Sequence, residues 1–235
     1  LEVSDRLEFQ IHQFLYFLPA EAFDADFLLH FLENYHRHAE HITHHFSAKG
    51  NHLLFEAQRL VFAGVFFPEF RDADRWRETG VGILNREIGE QVYDDGMQYE
   101  LDLHYHHESI GIFFKALQMM DANGYRGDFP AEYLATVERM IEAYIDCSFP
   151  DYTTPLFSDN RFREKEELMP CYRAWAEVFP DNAAIRWMAT EGREGAAPEH
   201  LSRALRTSGF YVLRNGWEAD ATAMVLKAGP QGFWH

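Results

Sequence analysis

The stretch of the chain with the densest chemistry is residues 93–107, YDDGMQYELDLHYHH. Its phenols, carboxylates and imidazoles are side chains that proteins use to donate and accept protons. Asp95 and Gly96 predict a turn, and a helix is predicted to begin near Tyr105. The segment therefore indicates an acid–base site, although a loop entering a helix, with Tyr105 half buried and the histidines solvated, explains the same residues.

A second polar segment, residues 49–58, reads KGNHLLFEAQ. Gly50 permits a tight entry into a helix, and Asn51 is a favoured helix cap. The Asn51 amide is also a neutral hydrogen-bond donor, and His52 can donate with charge assistance when it is protonated. Both groups suit the binding of a carboxylate, while capping alone gives Asn51 a structural role.

Histidines cluster between residues 36 and 45 at spacings that place some of them on one face of a helix. Such spacing can bring metal ligands together. No carboxylate or cysteine completes a recognised zinc pattern with them, so we interpret the cluster as a solvated, weakly basic face and predict no metal site. The cluster comprises His36, His38, His41, His44 and His45.

The elements that must position these groups are mainly helical. From Asp5 to about Arg206, apolar residues recur at helical spacing between short Gly, Pro, Asp and Asn breaks. Consecutive helices joined by short loops form antiparallel hairpins. We therefore predict an incomplete α/α toroid over residues 1–206, and an array of short helical repeats is the weaker alternative because no sequence repeat is visible.

The pattern changes near Gly209, where Phe210–Arg214 and Thr222–Lys227 predict two antiparallel strands. An isolated two-stranded hairpin is only marginally stable in water. We therefore interpret residues 207–235 as the first strands of a truncated, C-terminal antiparallel β-sandwich.

The chain is acidic, with a net charge of -17 over 235 residues. This sign disfavours a nucleic-acid partner, and a polyanionic ligand would require a local basic cleft.

No apolar run reaches the length of about 18 residues that predicts a membrane span. The opening LEVSD lacks the features of a signal peptide and also lacks an initiator Met, so we interpret the chain as a fragment. Cys147 and Cys171 are predicted to be free thiols.

Taken together, residues 50–58 and 95–106 resemble the active-site segments of the heparinase III family, heparan sulfate lyases among the heparinase II/III-like polysaccharide lyases. The resemblance implies that a helical toroid and a β-sandwich hold an anionic, uronic-acid-containing polysaccharide in the cleft between them. It also implies a periplasmic or secreted bacterial enzyme that acts as a monomer. No cofactor is expected in this fragment, and a calcium or zinc ion is allowed in the missing part of the sandwich.

The resemblance also implies roles for individual residues. Asn51, with His52, would neutralise the uronate carboxylate, and Tyr105 would be the catalytic acid and base. His235 matches a histidine that assists from the sandwich side. Substrate contacts are expected for Gln98, Glu100, His104 and His106, although a structural role fits Gln98 and Glu100 equally well. Lys49, Arg161 and Arg163 lie in loops where they could bind sulfates.

The implied reaction is β-elimination, which removes the C5 proton of a uronate and expels the sugar linked through O4. Tyrosine has a reference pKa of about 10, so a phenolate base near pH 7 needs positive groups beside it. The neighbouring histidines 104, 106 and 107, together with His235, are the candidates. Sequence alone leaves open whether one residue both removes the C5 proton and protonates O4.

Other functions fit parts of the same pattern. A lyase for alginate or chondroitin would share the architecture. A helical-barrel glycoside hydrolase would use two carboxyl groups about 5 to 9.5 Å apart. A binding protein without activity is a third reading. The carboxyl groups available to a hydrolase are those of Asp94, Asp95, Glu100 and Asp102.

Overall fold

The computed structural model describes residues 1–232, which form two compact units. Unit 1 contains residues 1–88 and 115–130, and unit 2 contains residues 89–114 and those from 131 onwards. The helices are α1 Glu2–Phe17, α2 Ala25–His44, α3 Gly50–Phe66, α4 Ala73–Gln91, α5 Leu103–Ala122, α6 Ala131–Cys147, α7 Lys165–Val178 and α8 Ala183–Ala189. The strands are β1 Ser202–Leu205, β2 Phe210–Arg214 and β3 Ala223–Lys227.

Unit 1 is built around the apolar faces of its helices. α3 is buried along most of its length because its apolar residues occur on nearly every side of the helix. Large side chains from α1, α2 and α4 fill the space around it, so helices with one apolar face each complete a common core. This core includes Leu7, Ile11, Tyr35, Ala39, Ile42, Leu60, Phe62, Phe67 and Trp76.

Unit 2 combines helices with a small sheet. Its core is rich in aromatic side chains, among them Tyr133 and Tyr144 of α6 and Tyr172 and Trp175 of α7. The three strands pair in the order β1-β2-β3, and both pairs are antiparallel. Apolar side chains of β2 alternate between buried and more exposed positions, which is the pattern of a sheet with one covered face.

The strand predictions are confirmed in part. β2 and β3 lie where the sequence predicts them, and Asn215 and Gly216 lie in the connection between them. The prediction of helix up to about Arg206 is wrong, because β1 occupies Ser202–Leu205. Its residues carry no strand signal of their own, and three of the four are exposed. Pairing with β2 therefore determines their conformation, as is common for edge strands.

Several smaller predictions are also confirmed. α5 begins at Leu103, close to the helix start predicted near Tyr105. Cys147 and Cys171 are both free thiols. Within the described part of the chain, no helix combines the length and the apolar character needed to cross a bilayer.

Candidate active site

Tyr105 lies in the first turn of α5, and Asp102 fixes that turn. The fully buried Asp102 carboxylate accepts hydrogen bonds from the backbone N–H groups of His104 (2.7 Å) and Tyr105 (3.1 Å). Both donors would lack intrahelical partners without this cap. The chain reaches the cap through Leu101, whose φ of 57° is unusual for a branched side chain. The partly buried Tyr105 side chain thus projects from a well-anchored helix start.

The turn before α5 requires a glycine. Gly96 has a φ of 91°, and a β-carbon at this position would lie only 2.5 Å from the carbonyl oxygen of Arg139. Its neighbour Asp95 accepts hydrogen bonds from the backbone N–H (2.8 Å) and the hydroxyl (3.0 Å) of Ser208. The predicted turn at residues 95 and 96 is confirmed, and these contacts tie it both to α6 and to the connection between β1 and β2.

His106 is fully buried and braces this loop. Its Nδ1 accepts from the backbone N–H of Gln98 (3.1 Å), and its Nε2–H donates to the carbonyl oxygen of Met140 (2.9 Å). Gln98 and Glu100 are buried as well, and Glu100 donates its backbone N–H to the Gln98 side chain (2.9 Å). Burial therefore does not support the predicted substrate contacts of these three side chains. Their hydrogen bonds stabilise the loop.

A loop between α6 and α7 brings a cation to the start of α5. Arg163 is buried, and its Nη2 lies 2.7 Å from Glu108 Oε1 and 2.5 Å from His104 Nδ1. From the sequence alone, Arg163 is only a candidate for sulfate binding. Its two partners lie more than 50 residues before it in the sequence, so only the folded chain reveals these contacts.

Lys227 on β3 is a second cation that the sequence analysis did not single out. Its Nζ donates to the hydroxyl of Ser158 (3.0 Å), in the same loop as Arg163. Burial lowers the pKa of Lys227, and the Asp102 carboxylate acts in the opposite direction. Lysines are common on the exposed positions of strands, so the sequence alone does not indicate a functional role for Lys227.

The surroundings of Tyr105 favour the neutral phenol. Burial raises the pKa of Tyr105, and the carboxylates of Asp159, Glu100 and Asp102 raise it further. Negative neighbours repel a phenolate, so the proton stays on the oxygen at neutral pH. In the resting protein, Tyr105 is thus equipped to donate a proton.

Among the described candidates, histidines 104, 106 and 107 have surroundings that disfavour a positive charge beside Tyr105. Burial lowers the pKa of His106 to about 4, and it also lowers the pKa of His104 and that of His107. Arg163 lowers the pKa of His104 further. These lowered pKa values do not support a role for the three rings in stabilising a phenolate, because burial disfavours the charged form of an imidazole.

Asn51 lies in unit 1, at the second residue of α3. The residue that caps α3 is Lys49, which is extended and makes no side-chain cap, so the capping interpretation of Asn51 is wrong. Gly50 has a φ of 77°, which confirms the predicted tight entry. The buried Glu56 carboxylate accepts from the N–H (2.7 Å) and the hydroxyl (2.9 Å) of Ser47, and this fixes the loop before the helix.

The histidine cluster contains one arrangement that sequence patterns missed. His36, Glu40 and Asp72 each offer a ligand atom, and these atoms lie within 4.8 Å of one another. Arg75 already bridges the two carboxylates, at 2.5 Å from Glu40 and 2.8 Å from Asp72, and the Trp76 indole donates to Glu40 (2.6 Å). The guanidinium thus supplies the positive charge that a metal ion would bring. In the sequence, the spacing of four residues between His36 and Glu40 already indicates that these two side chains lie on one face of a helix.

The other predicted site residues lie at the surface or outside the described part of the chain. His52, Lys49 and Arg161 are all exposed. His235 lies outside the described residues.

Comparison with known proteins identifies the family to which these segments belong. Residues 1–187 match the family profile of the heparinase II/III N-terminus. The chain belongs to the heparinase II/III family. The match includes the segments around Asn51 and Tyr105, on which the resemblance was based, and it confirms that resemblance.

This heparinase II/III chain is similar over its full length to curated relatives. It is 56% identical to a heparin-sulfate lyase of Bacteroides stercoris and 49% identical to one of Pedobacter heparinus. It covers 35% and 36% of those two proteins, so the chain spans about a third of their length.

A solved heparinase III structure matches the same chain with a TM-score of 0.94 at 56% identity. The match covers 100% of this chain and 37% of that one. The predicted fold class, a series of helices followed by the first strands of an antiparallel sheet, is confirmed by this similarity and by the elements described above.

Proposed function

We propose that the full-length protein is a polysaccharide lyase that cleaves heparan sulfate-like chains by β-elimination. Family membership and the heparin-sulfate lyases among its relatives support this reaction class. The observation that carries the mechanism is the partly buried, protonated phenol of Tyr105, anchored by Asp102 at the start of α5. A fixed phenol is the kind of group that can protonate a departing sugar oxygen.

In the proposed reaction, a base takes the proton from C5 and the C4–O4 bond breaks with its electron pair on O4. A double bond forms between C4 and C5, O4 accepts a proton, and no water is consumed. If C5–H and O4 lie on one face of the ring, a Tyr105 phenolate can take the proton and pass it on. If they lie on opposite faces, Tyr105 donates to O4 while a second group, for which we propose His235, takes the C5 proton. The raised pKa of Tyr105 supports the donor role.

We propose Asn51 as a donor to the uronate carboxylate. Removal of the C5 proton spreads negative charge onto this carboxylate, so a donor there must bind the enolate-like state more tightly than the ground state. An amide donates without changing its charge, and His52 follows it in the same helical turn.

A glycoside hydrolase is the second candidate, and three of its four candidate carboxylates do not favour it. The Asp95 carboxylate is bonded to Ser208, and the Asp102 carboxylate caps α5. Glu100 is buried. Paired hydrolytic carboxyls need room for sugar and water between them, whereas these groups are engaged in holding the loop.

The test is product analysis with the full-length protein. We expect heparan sulfate to yield fragments with an ultraviolet-absorbing unsaturated end, and no oxygen from isotopically labelled water in the new ends. Saturated ends that carry the label would reject the lyase proposal. Alginate and chondroitin serve as parallel substrates, and cleavage of either one in place of heparan sulfate would reject the substrate assignment alone.

We also propose a periplasmic or secreted location. Heparan sulfate is a large polyanion, and such a chain does not cross the hydrocarbon interior of a membrane unaided. Fractionation of the native host, with the protein detected in the cytoplasm only, would contradict this proposal.

A further inference from the structure

Arg163 and His104 make a contact that restricts where the imidazole can hold its proton. The Arg163 side chain is only 6% exposed, and its Nη2 lies 2.5 Å from His104 Nδ1. Glu108 Oε1 accepts from the same nitrogen at 2.7 Å and holds the guanidinium in place. This contact lies beside Tyr105, whose ring centroid is 5.2 Å from that of His104.

A guanidinium has donors only and stays charged at every pH at which proteins are folded. The nitrogen that faces it must therefore present a lone pair, so the single proton of His104 resides on Nε2. We propose that Arg163 is a positioning residue that locks His104 in the neutral Nε2–H tautomer, and thereby supplies an uncharged hydrogen-bond donor beside Tyr105.

The charges around His104 agree with this assignment. Burial is the largest influence that lowers the pKa of His104, followed by Arg163, with Arg161 from the same loop acting in that direction too. Glu108 and Asp102 act the opposite way, but Glu108 Oε1 lies 4.0 Å from His104 Nδ1 and is engaged with Arg163. The neutral ring thus prevails near pH 7.

The consequence for substrate recognition rests on the proposed lyase function. A fixed Nε2–H can donate to a hydroxyl, carboxylate or sulfate oxygen, but it cannot accept a hydrogen bond. The side chain of His104 is 22% exposed, so part of it is open to a ligand. Its contribution to binding should remain constant from about pH 6 to 8, in contrast to that of a histidine that titrates in this range.

The direct test is solid-state nitrogen NMR of full-length protein with isotopically labelled histidine. The His104 signals are assigned by their loss in His104→Gln. We expect protonated Nε2 and bare Nδ1 at pH 7. A protonated Nδ1, or a doubly protonated ring, would overturn the proposal whatever the variants show.

Arg163→Met tests the cause of the lock. We expect the pKa of His104 to rise and the Nδ1–H form to appear, while Arg163→Lys, which keeps a charged donor, retains more of the Nε2–H form. The matched control is Arg161→Met in the same loop, which should keep the Nε2–H tautomer. An unchanged His104 spectrum in folded Arg163→Met would overturn the proposal, and if that variant fails to fold, the wild-type spectrum decides.

Enzyme kinetics provide a second reading. For Arg163→Met we expect a new ionisation between about pH 6 and 7 in kcat/KM on heparan sulfate, absent from the wild type. If NMR shows the Nε2–H tautomer but the protein yields no unsaturated product, the lyase proposal fails and the tautomer assignment stands. If the protein yields unsaturated product but NMR shows a protonated Nδ1, the tautomer proposal fails and the lyase proposal stands.

Discussion

The amide of Asn51 keeps its charge state at every pH at which an enzyme works. If it donates to the uronate carboxylate, Asn51→Ala should lower kcat/KM about 100- to 1000-fold, which corresponds to about 3 to 4 kcal/mol of transition-state stabilisation. Steady-state rates on heparan sulfate measure this loss. Asn34→Ala is the matched control, because Asn34 is exposed and donates to the His30 carbonyl oxygen within its own helix. A loss below tenfold for Asn51→Ala would remove this residue from the proposed role.

The buried ring of His106 should make stability depend on pH. Its pKa is lowered from 6.5 to about 4, so the folded state binds this proton less readily than the unfolded state. The stabilisation is present above pH 6.5 and is lost as the pH falls towards 4, by about 3 kcal/mol. We expect His106→Gln to flatten this part of the curve, as measured by denaturant unfolding from pH 4 to 7.

The control for this titration is His30→Gln, since the side chain of His30 is 76% exposed. This variant should keep the wild-type slope between pH 4 and 6.5. An equal slope in wild type and His106→Gln would show that other groups cause the pH dependence.

Sequence patterns located side chains with suitable chemistry, but they did not predict the burial and the contacts of those side chains. They pointed to Tyr105 because a dense polar run precedes a helix, and the structure confirms the turn and the helix start. They could not reveal that His106 is completely enclosed, or that Arg163 binds His104 and Glu108. Burial and long-range pairing arise from tertiary packing, which a local pattern does not encode.

At the scale of elements, two helices begin with the same kind of cap. Asp102 accepts from the N–H groups at the start of α5, and Asp24 accepts from Phe27 N–H (2.9 Å) at the start of α2. Removing either cap should lower the free energy of unfolding by about 1 kcal/mol. Only Asp102→Ala is expected to lower kcat as well, because α5 carries Tyr105.

Urea unfolding and steady-state kinetics on the full-length protein compare Asp102→Ala with Asp24→Ala. Equal losses of stability with a loss of kcat confined to Asp102→Ala would support the positioning role of the cap. A similar kcat for both variants would mean that Tyr105 keeps its place without this cap.

The elements themselves follow closely from local signals where those signals are strong. Helical periodicity located α5, and a short run of strand-forming residues located β2. β1 was missed because its four residues gain their extended conformation from pairing with β2. The start of α3 was placed correctly by Gly50, but the capping preference of asparagine did not decide which residue caps it.

At the scale of the whole molecule, the net charge of the chain is -17, whereas its proposed substrate is a polyanion of the same sign. Two cations, Arg163 and Lys227, contact the start of α5 and the loop before α7, respectively. Interactions between exposed charges decay over about 10 Å at 0.1 M salt, so the acidic surface farther away contributes little there. The division into a helical domain of residues 1–206 and a sandwich domain from 207 stays a prediction.

The central claim is that Tyr105 moves a proton during elimination, and Tyr105→Phe tests it most directly. The measurement is the rate of unsaturated-product formation by the full-length protein on heparan sulfate, alongside oligosaccharide binding and a Tyr16→Phe control, whose side chain is 77% exposed. We expect turnover to be abolished, with binding nearly intact and the control unchanged. Retention of more than about a tenth of the wild-type rate, a barrier change under about 1.4 kcal/mol, would contradict the claim.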